Sequence, residues 1–206
     1  MFKLFLTALT CCAALLSSPA QALVAADSGT ESGLRQALQQ TLWPADIVRL
    51  ADDYLQRFPY SDSAASVAQL REQASGAVQV LSRNDVRLFK SAFQSANATP
   101  AVLAELRRAS LGDKNAAVRL AHLQLPKAGE ASSTGDAGDA SDASPATGNR
   151  YVGWLQFAAL LGNDAASYEL ALHFRRQGQP LLASQYEARA VQLGYQPPRA
   201  LDHVRK

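Results

Sequence analysis

The chain has 206 residues, of which 20 are basic and 18 are acidic, so its net charge of +2 is close to zero. This charge argues against a nucleic-acid or anionic-membrane role, and the length allows one domain with a sizeable core or a short repeat array. Both cysteines, Cys11 and Cys12, fall within residues 1–22. A chain cleaved after them would therefore be held by packing without a disulfide.

Residues 1–22 have the pattern of a secretory signal peptide. An apolar run from Leu4 to Leu16 follows a positive charge, and the small residues Ala20 and Ala22 form a cleavage site. The run is shorter than the roughly 20 residues that span a bilayer. We therefore expect cleavage after Ala22, a periplasmic or secreted mature chain and no integral membrane segment in it. Anchoring as a lipoprotein is disfavoured, because the apolar stretch before the cysteines is too short.

Residues 23–100 are predicted to form an N-terminal helical region. Apolar residues spaced three and four apart predict helices over Glu31–Thr41, Pro44–Phe58 and Val67–Leu81. Residues 82–93 begin with the spacing of a capping box, which predicts a further helix. Nothing in this region has the alternating pattern expected of a strand.

A low-complexity segment interrupts the C-terminal region. Residues 127–149 contain no aromatic side chain and no aliphatic one larger than alanine, so they cannot bury enough surface to offset the entropy of ordering. We predict a disordered loop there. Asp136, Asp139 and Asp142 recur at every third residue, whereas a calcium loop places its oxygen ligands at alternate positions and adds a distal glutamate. A linker is therefore favoured over a metal site.

The stretch from Trp154 to Leu172 predicts two short helices joined by a tight corner. The first of these helices carries two apolar stripes at helical spacing, which predicts burial on both sides. Gly162 suits the left-handed position that closes a helix, and one of the two polar residues after it can cap the next helix. The same corner recurs upstream around Gly112 and downstream around Gly194, where the copy is degenerate.

The pattern W-x-x-x-A-A-x-x-G-(N/D)-x-x-A-x-x-x-L-A in this stretch resembles the Sel-one-like repeat, a branch of the tetratricopeptide-like superfamily. The copy from Tyr186 to Gly194 keeps the first half of the pattern, and RFPYSDSAASVAQL resembles a corner of tetratricopeptide-like envelope proteins. The resemblance implies an all-α fold of antiparallel helix pairs in a short solenoid, with repeats over 101–206 interrupted by the loop. The positions that match the repeat are Trp154, Ala158, Ala159, Gly162, Ala166, Leu170 and Ala171.

The resemblance also implies a function. It is that of an adaptor which binds protein partners in a bacterial envelope assembly, such as secretion, polysaccharide-export or cell-wall machinery, with no catalysis and no cofactor. Arg175 and Arg176 are candidates to grip a carboxylate on a partner, although a solvated helix end is the simpler interpretation. Trp154, Tyr168 and Tyr186 lie on apolar stripes, which favours burial over ligand contact.

The alternative function is binding or cleavage of peptidoglycan. Exported all-helical lytic transglycosylases use a glutamate followed by serine, as in Glu31-Ser32, but here LRQALQQTLWP replaces the glycan-binding stretch of those enzymes. Glu31 is more simply explained as an acidic residue at a helix start. Glu169 and His173 are one helical turn apart without a further ligand at suitable spacing, so we predict a surface pair rather than a metal site.

Overall fold

The computed structural model describes residues 29–94, 98–125 and 145–196, with the backbone alone for 145–149. The predicted signal peptide at 1–22 and most of the predicted loop lie outside these ranges. The described part of the chain is all helical, with eight α-helices, one 3-10 helix and no strand. The α-helices are α1 (Glu31–Gln40), α2 (Pro44–Arg57), α3 (Ala64–Leu81), α4 (Pro100–Ser110), α5 (Lys114–His122), α6 (Pro145–Leu160), α7 (Asp164–Arg176) and α8 (Pro180–Gln192).

Most of the helices begin where the sequence supplies a proline or a capping side chain, although α3 begins with neither. The first turns of α2, α4 and α8 contain Pro44, Pro100 and Pro180. Proline is tolerated there because a backbone N–H at the start of a helix has no hydrogen-bond partner within the helix. Thr30 and Asn163 cap α1 and α7 by accepting a bond from a backbone amide of the first turn. The helices predicted over Glu31–Thr41, Pro44–Phe58 and Val67–Leu81 are confirmed as α1, α2 and α3. None of the helices in the described residues is both long and apolar enough to cross a membrane.

The helix α6 lies between its sequence neighbours. Every residue from Gly153 to Ala159 is buried, because α5 packs on one side of the helix and α7 on another. The prediction that two apolar stripes place this helix between neighbours is confirmed. The helix begins at Pro145, so residues 145–149, predicted to be the end of the loop, are helical instead. Once a helix has nucleated on a packed face, adding residues to its end costs little.

The buried residues form two clusters. The smaller cluster lies among α1, α2 and α3 and centres on Ile47, Ala51 and Tyr54, all fully buried. The larger cluster extends from the end of α3 through α8. Its aromatic centre consists of Phe93, Trp154 and Phe157, and the half-buried Trp43 packs edge-on against Phe93 with ring centroids 5.2 Å apart. Trp43 thus packs the start of α2 against the larger cluster.

The helix predicted over 82–93 is wrong. Residues 86–89, which we call the extended segment, belong to no helix; Phe89 has extended backbone angles, and the 3-10 helix Lys90–Phe93 follows. Val86 and Leu88 are buried whereas the residues that alternate with them are exposed, which is the period of two of an extended chain. The extended segment crosses α6, and the amide of Arg87 donates a 3.2 Å hydrogen bond to the side chain of Gln156. Packing against α6 therefore overrides the local capping pattern.

Candidate binding site

Three helix ends that the sequence pattern predicts to be equivalent have the same backbone geometry, and the end of α7 at Gly178 has it as well (φ 70°). Gly112, Gly162 and Gly194 all have positive φ angles, of 85°, 90° and 93°. The amide of each glycine bonds the carbonyl three residues before it at 3.0 Å, and the next amide bonds the carbonyl five residues before it at 2.9–3.1 Å. This double bond pattern closes a helix with a left-handed residue. We call these three turns the glycine corners.

The first two glycine corners contact each other directly. The Lys114 ammonium donates to the carbonyl of Gly162 at 2.9 Å, and the Asn163 amide donates to the Asn115 side chain at 3.0 Å. The leucine before each later glycine also lies against the earlier corner. Leu161 lies 3.8 Å and Leu193 lies 4.0 Å from the point where a Cβ on the preceding glycine would be. Successive corners therefore lie side by side in chain order.

Most of the residues predicted to be structural in the repeat are core residues. Tyr186 is half-buried and stacks on Phe174 with ring centroids 5.5 Å apart, and Tyr168 stacks on Tyr195 at 4.5 Å. Burial of Trp154 agrees with the interpretation that it lies in the core rather than against a ligand. The fully or almost fully buried members are Trp154, Ala158, Ala159, Ala166, Leu170 and Ala171.

A groove beside α8 lies near the glycine corners and has a volume of about 430 Å³. We call it the α8 groove. Its apolar lining includes Leu160, Leu182 and the ring of Tyr186, and its charged lining includes Arg83, Asp85 and Arg189. Leu181, at the start of α8, is 81% exposed, and Val191, near its end, is 61% exposed; neither side chain lines the groove.

The charged side chains that line the α8 groove give it an excess of positive charge. Arg83 forms a two-bond ion pair with Asp85, with both N–O distances at 3.0 Å, and this pairing lowers the pKa of the Asp85 carboxyl. Arg189 donates to the carbonyl of Ala159 at 3.1 Å, and its charge also contributes to the lowered pKa of Asp85. Desolvation, and secondarily the charge of Asp85, raise the pKa of Tyr186. The two guanidiniums and one carboxylate therefore give the groove a net positive charge.

The two adjacent arginines predicted to bind a partner have contacts within the chain. Arg175 forms a 2.6 Å ion pair with Glu187 of α8, and Arg176 donates to the carbonyl of Leu172 at 3.4 Å. Arg175 thus links α7 to α8, and to bind a partner carboxylate it would first have to share or release Glu187. The role of this pair in binding stays a prediction.

Glu169 contacts different residues from the one predicted. Its carboxylate lies 2.9 Å from the Nε2 atom of His122 on α5 and accepts a 3.3 Å bond from Tyr151 on α6. His173, the predicted partner, instead packs edge-on against the Tyr151 ring with centroids 6.2 Å apart. Burial and the Glu169 charge raise the pKa of Tyr151 to about 12, and burial lowers the pKa of His173. Among the described residues, no group of three His, Cys, Asp or Glu side chains could hold a metal ion.

Glu31 joins a small hydrogen-bonded group at the start of α1. The hydroxyls of Tyr54 and Ser61 both donate to Glu31 Oε1 at 2.6 Å, and the two hydroxyl oxygens are 2.7 Å apart. The bond from Ser61, followed by that from Tyr54, lowers the pKa of the Glu31 carboxyl. A glycan-cleaving general acid needs a raised pKa. The geometry therefore suits a carboxylate that joins α1 to α2 and the following turn.

Comparison with known proteins gives no relative. No family model, curated protein or solved structure matches the chain. The features of the structure that bear on function are therefore the glycine corners, the α8 groove and the charges that line it.

Replacing Glu31 should change how stability depends on pH. The pKa of Glu31 is lower in the folded chain, so its stabilising effect is complete above the ordinary value of 4.5 and is lost as the pH falls through the folded pKa. We expect Glu31→Gln to lower the melting temperature at about pH 7, and the difference from the unsubstituted chain to shrink at about pH 3. Thermal melts followed by circular dichroism measure both.

The control for that experiment is Glu72→Gln. Glu72 is an exposed carboxylate on α3 that has no hydrogen bond within the described residues. Replacing Glu72 removes the same charge as replacing Glu31, but it breaks no hydrogen bond with Tyr54 or Ser61. Equal pH profiles for the two variants would contradict a special role for Glu31.

Proposed function

We propose that this chain is an exported helical-repeat adaptor that binds protein partners in a bacterial envelope assembly, without catalysis. The observation that carries the proposal is the α8 groove, whose lining includes the exposed Leu182, at the end of a series of similar glycine corners. Exposed apolar faces of this kind mark interaction sites. Stacked helical repeats use such faces to bind extended segments or helices by shape.

The repeat part of the proposal rests on the glycine corners. Contacts between successive corners are expected where each unit packs only on its neighbours, whereas the backbone bonds alone are shared by the end of α7 at Gly178. The Sel-one-like pattern at Trp154 to Ala171 coincides with the second corner and its two helices. In this interpretation α4 and α5 form one unit of a solenoid, α6 and α7 form the next, and α8 begins a third.

The partner chemistry follows from the lining of the α8 groove. Leu160, Leu182 and Tyr186 provide apolar contacts, and the guanidiniums of Arg83 and Arg189 outnumber the one carboxylate, Asp85. An amphipathic helix or extended segment with apolar anchors and one acidic residue would match both features. The envelope location follows from the signal-peptide pattern at 1–22, which also gives Leu23 as the first residue of the mature chain.

Site-specific photo-crosslinking in intact cells tests the proposal. A photoreactive residue at Gln185, which lines the α8 groove, should capture one protein partner, and mass spectrometry of the adduct should show that the chain begins at Leu23. The same residue at Glu72, exposed on α3, should capture none. Equal capture from both positions would contradict binding in the groove. Recovery of glycan fragments alone would favour the peptidoglycan alternative.

A charge placed in the α8 groove should weaken the captured complex. We expect Leu182→Asp to reduce affinity for the captured partner at least about tenfold, because a buried apolar contact is lost and a carboxylate is desolvated. Leu103→Asp is the matched control, since Leu103 is 39% exposed and Leu182 is 38% exposed but Leu103 lies on α4. Binding measured by titration calorimetry should be unchanged in the control. Similar losses in both variants would contradict this placement.

A further inference from the structure

Two arginines from separate parts of the chain line one cavity near the N-terminal helices. The cavity has a volume of about 270 Å³, and we call it the arginine cavity. Its polar lining consists of Arg35 and Gln39 of α1, Ser63 and Ser66 at the start of α3, and Arg107 of α4. Three aliphatic side chains complete it.

The positive charge in the arginine cavity has no ion-pair partner in the described ranges. Arg107 is half-buried, its Nη1 atom donates to the carbonyl of Thr41 at 2.5 Å, and burial lowers its pKa. Arg35 donates to the Ser63 hydroxyl at 3.1 Å. Glu31 is close enough to Arg35 for their charges to interact, but Glu31 Oε1 already accepts bonds from Tyr54 and Ser61. A half-buried guanidinium beside a neutral carbonyl keeps most of its donors for another acceptor.

The simpler role of Arg107 is to cap α1, whose last carbonyls attract a cation. That role explains one bond of Arg107, but it does not explain the second arginine or the serine hydroxyls in the same cavity. Arg189 also bonds a carbonyl at a helix end, and a carboxylate, Asp85, lines the same groove. The arginine cavity has no carboxylate in its lining. Its donors therefore match an oxyanion, which guanidinium forks bind with two bonds each.

The exposed side of α1 extends the arginine cavity with neutral polar groups. A second, more open depression shares Arg35 and Gln39 and adds Ser32, Gln36 and Gln40. Amide and hydroxyl side chains bind hydroxyl-rich molecules through hydrogen bonds. We infer that the arginine cavity binds the carboxylate or phosphate group of an anionic sugar, whose hydroxyls contact this polar side of α1.

Titrations of the full mature chain with three sugars test this inference. Glucuronate and glucose 6-phosphate supply the two oxyanions, and glucose is the neutral counterpart. The salt concentration is held fixed so that screening is equal in all titrations. We expect the backbone amide resonances of Arg35, Ser63 and Ser66 to shift with at least one anionic sugar, and glucose to bind at least about tenfold more weakly. The anion that binds more tightly identifies whether a carboxylate or a phosphate is the source.

Three variants decide whether the arginines are responsible. Arg35→Gln and Arg107→Gln should each weaken anionic-sugar binding at least about tenfold. Arg49→Gln removes the same charge from an exposed position on α2 outside the cavity and should leave binding unchanged. If Arg107→Gln unfolds α1, then Arg35→Gln, at an exposed residue, carries the test. Equal binding by Arg35→Gln and Arg49→Gln would overturn the inference, as would absence of binding by either anionic sugar or equal binding of glucose.

Discussion

Replacing Trp154 by alanine should lower the free energy of unfolding by about 3–5 kcal/mol. The Trp154 side chain is only 1% exposed and lies at the centre of the aromatic group, with its ring centroid 4.9 Å from that of Phe93 and 6.1 Å from that of Phe157. Truncation removes the transfer free energy of the indole and leaves a cavity that rigid helices on both sides cannot fill. Urea denaturation measures the loss as a lower midpoint at unchanged slope.

The control for Trp154→Ala is Tyr60→Ala. Tyr60 is 98% exposed, so its truncation should change stability by no more than about 0.5 kcal/mol. A double-mutant cycle of Trp154 with Phe93 should also give a coupling of about 0.5–1.5 kcal/mol, because the two rings are in contact. If Trp154→Ala costs no more than Tyr60→Ala, Trp154 is not in the core as described.

The helices could be predicted from the sequence wherever local and tertiary preferences agree. Pro44 suits the first turn of α2, and Ile47, Ala51 and Tyr54 then follow the helical period, so the predicted helix is the observed one. The glycine corner at Gly162 was equally predictable, because an αL residue and a capping asparagine leave few other conformations. In both places each short stretch contains the information for its own structure.

The wrong helix prediction at residues 86–89 shows that a local sequence pattern does not always determine the local structure. A capping-box spacing and apolar residues at 86, 89 and 93 favoured a helix, whereas the buried pair is Val86 and Leu88. The alternation was visible in the sequence, but four residues cannot distinguish the two periods. What decides the matter is α6, some 70 residues later in the chain, whose Gln156 side chain accepts the bond that Arg87 would otherwise make within a helix.

The candidate sites were less predictable than the fold because each is assembled from distant segments. The α8 groove combines Arg83 and Asp85 with residues from two helices at least 75 positions later. The arginine cavity needs Arg35 and Arg107, which share no local pattern. In the sequence, Leu181 and Leu182 are merely two adjacent apolar residues, and Arg35, Arg107 and Arg189 each have an acidic residue within four positions. Such features are common on ordinary surfaces and therefore weak by themselves.

Replacing Gly153 by alanine should lower the free energy of unfolding by about 1–3 kcal/mol. Gly153 lies within α6, where alanine would ordinarily be favoured over glycine by about 1 kcal/mol. A Cβ at this position would lie 2.5 Å from the carbonyl oxygen of Arg87 and 3.1 Å from its carbonyl carbon. The oxygen belongs to the backbone of the extended segment, which cannot move without displacing the buried Val86 and Leu88. Steric overlap should therefore outweigh helix propensity, and urea denaturation should show a lower midpoint.

Gly76→Ala provides a control with the opposite expected sign. Gly76 lies within α3, is exposed, and a Cβ there would meet no atom within 4 Å. This substitution should raise the free energy of unfolding by about 0.5–1 kcal/mol, through helix propensity and a less flexible unfolded chain. The two variants make the same chemical change in the same kind of element, so a difference in sign isolates the contact between α6 and the extended segment. If Gly153→Ala is as stabilising as Gly76→Ala, residues 86–89 do not pack against α6 at this distance, and the α8 groove, which uses the neighbouring Arg83 and Asp85, loses one of its walls.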